Sequence, residues 1–201
     1  MKQQIIAIHG GTSFENYQDY INFLKNHEIN FDKLKSSKGW KDSLQEDLGE
    51  EFEVLMPRMP NPSNAVYEEW KIWFERIIEL CDDNLIFIGH SLGGIFLAKY
   101  FSENIISKKI KAVFLVAAPF DDSNSEESLS PFKLPASLEK FEKQCENIYL
   151  LQSRDDILVL FEEMEKYKKA LPKAKTFIFE GRGHFNSETF PEIVELIKEI
   201  K

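Results

Sequence analysis

Residues 84–94 read NLIFIGHSLGG, an apolar run that leads into the pattern Gly-x-Ser-x-Gly. This spacing predicts that Ser91 sits at a sharp turn between a strand and a helix, with its hydroxyl above the end of the sheet. Side chains two residues before and after the serine would collide at such a turn, which explains Gly89 and Gly93. Free N–H groups at the start of the following helix face the same point. The stretch therefore predicts a reactive serine at the C-terminal end of a central strand.

The segments on both sides of this turn are of two alternating kinds. Short runs of branched apolar residues are typical of parallel strands covered on both faces, and longer segments carry apolar residues at helical spacing. The predicted strands are Gln4–His9, Phe52–Met56, Asn84–Ile88, Ala112–Ala117, Ile148–Gln152 and Thr176–Glu180, and the predicted helices are Tyr17–His27, Val66–Leu80, Ser91–Phe101, Leu138–Cys145, Val159–Leu171 and Phe190–Ile200. This alternation predicts a doubly wound α/β fold, with a mostly parallel sheet of about six strands and helices on both faces. At 201 residues, a single domain over residues 1–201 is expected.

The amino-acid composition argues against several classes of binding partner. With 25 basic and 34 acidic residues the formal net charge is −9, and an acidic surface repels the phosphates of nucleic acids. The two cysteines, Cys81 and Cys145, fit no zinc-binding or Cys-x-x-Cys spacing and indicate reduced thiols, with no metal expected. No apolar run is long enough for a signal peptide or a membrane span. The sequence therefore predicts a cytoplasmic protein with no nucleic-acid or membrane partner.

A serine hydroxyl needs a base to take up its proton, and the base needs a partner that orients it. Among the four histidines, His184 follows the last predicted strand, and Gly181 and Gly183 beside it let the loop bend over the edge of the sheet. His9 ends the first strand, His27 lies in a polar helical stretch, and the side chain of His90 is expected to point away from the Ser91 hydroxyl. His184 is therefore the predicted base.

The acid is expected in the loop after the preceding strand, Ile148–Gln152, where the chain carries Asp155 and Asp156. Both aspartates are candidates, because either carboxylate would fix the tautomer of the histidine and stabilise its protonated form. The chain order of serine, acid and then histidine is the order found in α/β hydrolases.

The predicted oxyanion hole combines two backbone N–H groups. One belongs to Leu92, the residue after the serine, and the other to the glycine-containing loop after the first strand. Gly11 is the favoured donor in that loop and Thr12 the alternative.

Two stretches interrupt the alternation of strands and helices. Residues 30–50 are interpreted as a loop with a short helix, and the polar residues 119–136 as either a flexible loop or a small lid over the site. Several aromatic or apolar residues lie in loops on the predicted catalytic side and are candidate substrate contacts. They are Phe14, Met59, Phe120 and Phe185, with Tyr17, Phe132 and Trp40 as further candidates.

The chain resembles the α/β hydrolases, and most of all the small family of retinoblastoma-binding protein 9 and its bacterial relatives. The matching segments span residues 5–200 and are Ile8–Gly11, Pro57–Pro62 with Trp70 downstream, Ile88–Gly93, Ser153–Asp156 and Gly183–Phe185. The resemblance implies a serine hydrolase with a reduced sheet and little lid. It also implies that Ser91 is the nucleophile, Asp156 the acid and His184 the base.

The chain departs from the family at two places. Residues 30–50 are longer than in its shortest members, and Ile157-Leu158-Val159-Leu160 stand where members often have a proline after the acidic pair.

The sequence thus predicts a hydrolase that cleaves a small ester, thioester or amide through an acyl-enzyme, without a metal or an organic cofactor. The alternative is a non-catalytic binding or scaffold protein built on the same fold, since a fold alone does not establish activity. A hydrolase that cleaves C–C or C–halogen bonds would carry an aspartate in place of Ser91 or a larger helical cap, and neither is evident.

Overall fold

Six parallel strands form the central sheet of the computed structural model, which describes residues 2–35, 38–123 and 128–200. The strands are β1 (Gln3–Ile8), β2 (Phe52–Leu55), β3 (Leu85–His90), β4 (Ile110–Val116), β5 (Ile148–Ser153) and β6 (Lys175–Phe179). Their order across the sheet is β2-β1-β3-β4-β5-β6, and each neighbouring pair is parallel. The predicted fold class is confirmed.

Helices cover both faces of the sheet. Within the described residues they are α1 (Tyr17–Asn26), α2 (Trp40–Leu48), α3 (Tyr67–Leu80), α4 (Leu92–Glu103), α5 (Glu139–Gln144), α6 (Phe161–Ala170) and α7 (Pro191–Lys198). Side chains of α3, α4, α5 and α6 share one apolar cluster, and those of α2 and α7 share the other. Of the helices in the described ranges, none is both long enough and apolar enough to cross a membrane.

The two clusters explain why the central strands read as continuous apolar runs. Every residue of β3 is buried. Successive side chains of a strand point to opposite faces, and accordingly Phe87 lies in one cluster while Ile86 and Ile88 lie in the other. Because β3 lies between β1 and β4, its C-terminal end brings Ser91 to the middle of one edge of the sheet.

The predicted strand boundaries agree with the observed ones to within one or two residues. The predicted helix Val159–Leu171 differs by two residues at its start, since α6 begins at Phe161. The cause is local: the carboxylate of Asp156 accepts hydrogen bonds from the N–H groups of Leu158 and Val159, and these bonds hold that stretch in a loop. Residues 30–50 contain a short 3₁₀ turn, Phe31–Leu34, followed by α2.

The segment 119–136 is fixed at both of its described flanks, while residues 124–127 lie outside the described residues. On one side, Glu163 of α6 accepts hydrogen bonds from the N–H groups of Phe120 and Asp121, at 2.9 and 3.0 Å. On the other side, the Ser13 hydroxyl donates to the carbonyl of Ser128 at 2.8 Å. Whether this segment acts as a lid or as a loop stays a prediction.

Candidate active site

Ser91 occupies a strained turn between β3 and α4. Its φ of 54° and ψ of −124° lie outside the usual regions for a residue with a side chain. The turn requires close backbone approach, because a Cβ at position 89 would lie 2.5 Å from the carbonyl oxygen of Gly93. A Cβ at position 93 would lie 2.6 Å from the carbonyl oxygens of Ile8 and His9. The glycines on either side of the serine are therefore set by contact between β1, β3 and α4.

His184 and Asp156 form a hydrogen-bonded pair beside this turn. The Nδ1–H of His184 donates to Oδ2 of Asp156 at 2.8 Å, and the Asp156 side chain is fully buried. His184 lies in the loop after β6, and Asp156 in the loop after β5. A proton held on Nδ1 leaves Nε2 of a neutral imidazole free to accept one, as a general base must.

The environment of Asp156 keeps its carboxylate charged. Burial alone would raise the pKa of Asp156, but the hydrogen bond from His184 and those from the N–H groups of Val159 and Leu158 outweigh it. The pKa of Asp156 therefore lies below its ordinary value. An ionised Asp156 is the form that orients a neighbouring imidazole and stabilises its protonated state.

Asp155 takes a different position from Asp156. Its carboxylate accepts hydrogen bonds from the N–H groups of Gly181 and Gly183, at 3.0 and 3.2 Å, and from the Ser153 hydroxyl. The bond from Ser153 is the main reason that the pKa of Asp155 is lowered. Asp155 thus binds the backbone of the loop that carries His184, whereas Asp156 binds the imidazole itself.

Ser91 and His184 line the same cavity, but no hydrogen bond joins their side chains in the described part of the chain. In hydrolases without bound substrate, the contact between nucleophile and base is often long and tightens only when substrate binds. His184 and Asp156 are therefore in direct hydrogen-bond contact, and Ser91 lies in the same cavity as His184.

The loop after β1 distinguishes between the two candidate oxyanion donors. The N–H of Thr12 donates to the carbonyl of Pro62 at 2.8 Å, so it is already engaged. The N–H groups of Gly11 and Leu92 have no partner within residues 2–35, 38–123 and 128–200. Both residues line the cavity that holds Ser91, so the geometry favours Gly11 over Thr12.

His9 fixes the orientation of that donor. Its Nδ1–H donates to the carbonyl of Gly10 at 2.6 Å, while its Nε2 accepts from the N–H of Met59 at 2.9 Å. The carbonyl of Gly10 and the N–H of Gly11 belong to one planar trans peptide and point in opposite directions. Because His9 holds the carbonyl away from the cavity, the Gly11 N–H points towards the cavity.

The cavity at Ser91 has a volume of about 460 Å³, which is within the range of small-molecule sites. Its apolar walls are formed by Leu92, Pro119, Leu129 and the loop 157–160, and its acidic side by Asp121 and Glu163. Lys166 neutralises part of that side, since its Nζ lies 2.7 Å from both carboxylates. The cavity therefore combines these apolar walls with polar surface, to which Thr12 and Ser13 also contribute.

The residues predicted to contact substrate lie elsewhere, which corrects that prediction. Met59 and Phe185 are 2% and 1% exposed and are core residues. The ring of Phe120 packs on Tyr167, and that of Phe14 packs on Tyr20 and Phe23. None of the four lines the cavity. Large apolar side chains that can reach the core are buried there, even when the backbone that carries them runs through a loop.

The further aromatic candidates do not line the cavity either. Trp40 and Phe132 are buried, and Tyr17 is exposed on α1.

Sequence reasoning missed the loop 157–160 as a wall of the cavity. The available signal was the placement of four apolar residues, 157–160, directly after the acidic pair. Helical spacing assigned the last two of them, Val159 and Leu160, to a helix instead. Ile157 and Leu158 are 86% and 62% exposed, an unusual degree for such side chains beside a site. Glu163, which anchors the segment after β4, was also missed.

A parallel α/β sheet with a strained serine directly after its central strand is the architecture of α/β hydrolases, and the fold places the protein in that class. The model of the serine hydrolase family matches residues 33–198. The chain belongs to the serine hydrolase family and is accordingly a hydrolase.

Similar proteins agree with this assignment. The chain is 30% identical to serine hydrolase RBBP9 of Rattus norvegicus over 163 residues, which are 80% of this chain and 83% of that protein. Among solved structures it is similar to the ydeN gene product of B. subtilis, with a TM-score of 0.76, 17% identity and coverage of 99% and 98% of the two chains. It is also similar to a lipase-esterase related protein from Clostridium acetobutylicum ATCC 824, with a TM-score of 0.62, 12% identity and coverage of 99% and 94%. These two structures support the fold.

Proposed function

We propose that this hydrolase cleaves a small ester, thioester or amide through an acyl-enzyme formed on Ser91. The observation that carries the proposal is the buried hydrogen bond between His184 and Asp156, at the cavity that also holds the strained serine. A cofactor is not required, because the nucleophile, base, acid and oxyanion donors are all side chains or N–H groups of this chain.

In the proposed mechanism His184 takes the Ser91 proton on Nε2 while Oγ forms a bond to the substrate carbonyl carbon. The carbonyl oxygen becomes an oxyanion, and the N–H groups of Gly11 and Leu92 bind it; each such donor lowers the barrier by about 3 kcal/mol. Protonated His184 then donates its proton to the leaving oxygen, sulfur or nitrogen as that bond breaks. Asp156 stabilises the imidazolium throughout.

Deacylation repeats these steps with water. His184 takes a proton from the water, the resulting hydroxide attacks the acyl carbon, and the bond to Oγ breaks as the proton returns to Ser91. The products are a carboxylic acid and an alcohol, thiol or amine.

The walls of the cavity support an apolar acyl group of modest size. A cavity of about 460 Å³ with apolar walls at Leu92, Leu129 and the loop 157–160 accommodates a short acyl chain or one aromatic ring. The net charge of −9 supports a neutral or cationic small molecule rather than a nucleic acid as partner. A cytoplasmic location stays a prediction of the sequence.

The exposed loop after the acid gives a test of acyl preference. Replacing Ile157 and Leu158 together with serine removes apolar contact area, at about 0.8 kcal/mol for each methylene group no longer buried. We expect kcat/KM for p-nitrophenyl butyrate to fall about fivefold or more, and that for the acetate to change by less than about twofold. The measurement is a chain-length series of p-nitrophenyl esters.

The matched control is Ile72→Ser, since Ile72 is 59% exposed on α3 and does not line the cavity. An equal loss for the acetate and butyrate esters would show that the loop does not hold the acyl chain.

The rival function is a scaffold or binding protein on a hydrolase fold. A fluorophosphonate probe separates the two, because it phosphonylates a serine only when a base activates the hydroxyl. We expect one probe per chain, located at Ser91 by peptide mass spectrometry, and no labelling after heat denaturation. Folded protein that stays unlabelled while a control hydrolase reacts would favour the scaffold.

A further inference from the structure

The loop that carries His184 has a backbone that is costly to hold in place. Here the His184 loop denotes residues 181–187. Gly181, Gly183 and Phe185 all have positive φ values, of 74°, 49° and 52°. A phenylalanine in this region costs on the order of 1 kcal/mol. Such a loop keeps one conformation only if neighbouring residues hold it there. The hydrogen bonds of the loop show which residues these are.

One side of the His184 loop is held by Asp155, as described above. The other side is held by Trp40, the first residue of α2. The indole N–H of Trp40 donates to the carbonyl of Phe185 at 2.9 Å, and its backbone N–H donates to the carbonyl of Ser187 at 3.0 Å. Trp40 is 2% exposed, so no water competes for these bonds.

The carbonyl of His184 itself is held by His90. The Nε2–H of His90 donates to this carbonyl at 2.8 Å, and the Nζ of Lys41 lies 3.3 Å from Nδ1 of the same ring. A carbonyl can only accept, so the proton of His90 lies on Nε2 and its Nδ1 accepts from Lys41. Lys41 thus fixes the tautomer that lets His90 hold His184.

The charge states agree with this direction of hydrogen bonding. Burial, followed by the charges of Lys41 and His184, holds the pKa of His90 well below its usual range, so its ring is neutral. Burial lowers the pKa of Lys41 to about 8, although Asp42 opposes this. A lysine amine donates a hydrogen bond whether or not it is charged.

We propose that Trp40, Lys41 and His90 are positioning residues for the base, and we call them the histidine-loop clamp. The inference rests on the proposed function, because it assigns these residues to the reaction of Ser91. None of them lines the cavity, so they act through the backbone of residues 184–187. A displacement of about 1 Å at a reacting group can lower the rate about 100-fold.

The clamp also gives a role to the stretch 30–50, which contains α2. Leu44 and Leu48 of α2 pack in the same apolar cluster as Ile193 and Ile197 of α7. This packing sets the position of α2, and the first turn of α2 then holds the loop that precedes α7. The stretch therefore supports the base from outside the cavity.

Three variants test the clamp. Trp40→Phe removes the indole hydrogen bond to Phe185, Lys41→Met removes the bond to His90, and His90→Leu removes the bonds to both His184 and Lys41. We expect each to lower kcat for p-nitrophenyl acetate about 10- to 100-fold and to leave KM within about twofold of wild type. His90→Gln keeps a side-chain N–H near the position of Nε2, and it should recover most of the loss. Endpoint titration with the fluorophosphonate counts folded sites, so kcat refers to active protein only.

Two controls match the tryptophan and lysine substitutions at positions outside the clamp. Trp73→Phe changes an indole that is 41% exposed on α3, and Lys25→Met removes an exposed lysine from the last turn of α1. Both should retain wild-type kcat. The far-downfield proton signal of the His184 Nδ1–H should shift or broaden in the clamp variants and not in the controls.

The results separate this inference from the proposed function. If Ser91→Ala is inactive while Trp40→Phe and Lys41→Met keep wild-type kcat and the same proton signal, the clamp is wrong and the catalytic proposal stands. If Ser91→Ala is as active as wild type, the catalytic proposal itself fails. Should His90→Leu not fold, the other two variants decide the outcome.

Discussion

Replacing Ser91 with alanine is expected to lower kcat for p-nitrophenyl esters by about 10⁴- to 10⁶-fold. The variant keeps the oxyanion donors and the cavity, but it has no oxygen to form the acyl-enzyme. Only general binding and electrostatic stabilisation of the transition state then remain. The measurement is steady-state hydrolysis, with thermal unfolding to show that the fold is retained.

Ser102→Ala is the matched control for that substitution. Ser102 is buried on α4, the helix that Ser91 precedes, and its hydroxyl donates to the carbonyl of Ala98 within the helix. This variant should lose some stability and keep its turnover number. Wild-type turnover by Ser91→Ala would instead refute the acyl-enzyme mechanism.

Exchanging Asp156 for asparagine is expected to lower kcat about 10⁴-fold with little change in shape. An asparagine offers a donor or a neutral acceptor to Nδ1 of His184, so it permits the wrong tautomer and does not stabilise the imidazolium. Asp155→Asn should cost no more than about tenfold, because its amide oxygen can still accept from the N–H groups of Gly181 and Gly183. The pair is measured in parallel by kcat and by the rate of fluorophosphonate labelling.

This comparison decides between the two neighbouring aspartates. A larger loss in Asp155→Asn than in Asp156→Asn would reverse the assignment. Stability adds a second readout, because the pKa of Asp156 is lowered in the folded state. Its ionised form stabilises the fold above about pH 4, and this contribution disappears as the pH falls through the lowered pKa. The stability difference between wild type and Asp156→Asn should therefore shrink in acid.

Several features of the site were predictable because they depend on residues that lie close together in the chain. The turn at Ser91 needs glycines at fixed offsets, and buried parallel strands need continuous apolar runs, so both are legible in residues 84–94. The predictions of His184 and of the pair Asp155 and Asp156 followed from their places after β6 and β5, and the choice of Asp156 came from the family resemblance. Chain order along a parallel sheet fixes which loops meet at its C-terminal edge.

The contacts of the site were much less predictable. Burial depends on which side chains meet in three dimensions, and composition does not separate a core phenylalanine such as Phe185 from one in a pocket. The hydrogen bonds from Trp40 and His90 to the His184 loop join positions far apart in the chain. No periodic pattern reports bonds of this kind. For the same reason the loop 157–160 was not predicted to be a cavity wall.

The loop 157–160 has two roles, one performed by its backbone and the other by its side chains. Its backbone N–H groups at Leu158 and Val159 bind the carboxylate of Asp156, while its side chains line the cavity. Evolution can therefore exchange those side chains and alter which acyl groups are accepted without disturbing the acid. Proline is the exception, because at either position it would delete an N–H that keeps Asp156 ionised. During selection for new substrates, the side chains of this loop can therefore vary widely, whereas its backbone conformation is constrained.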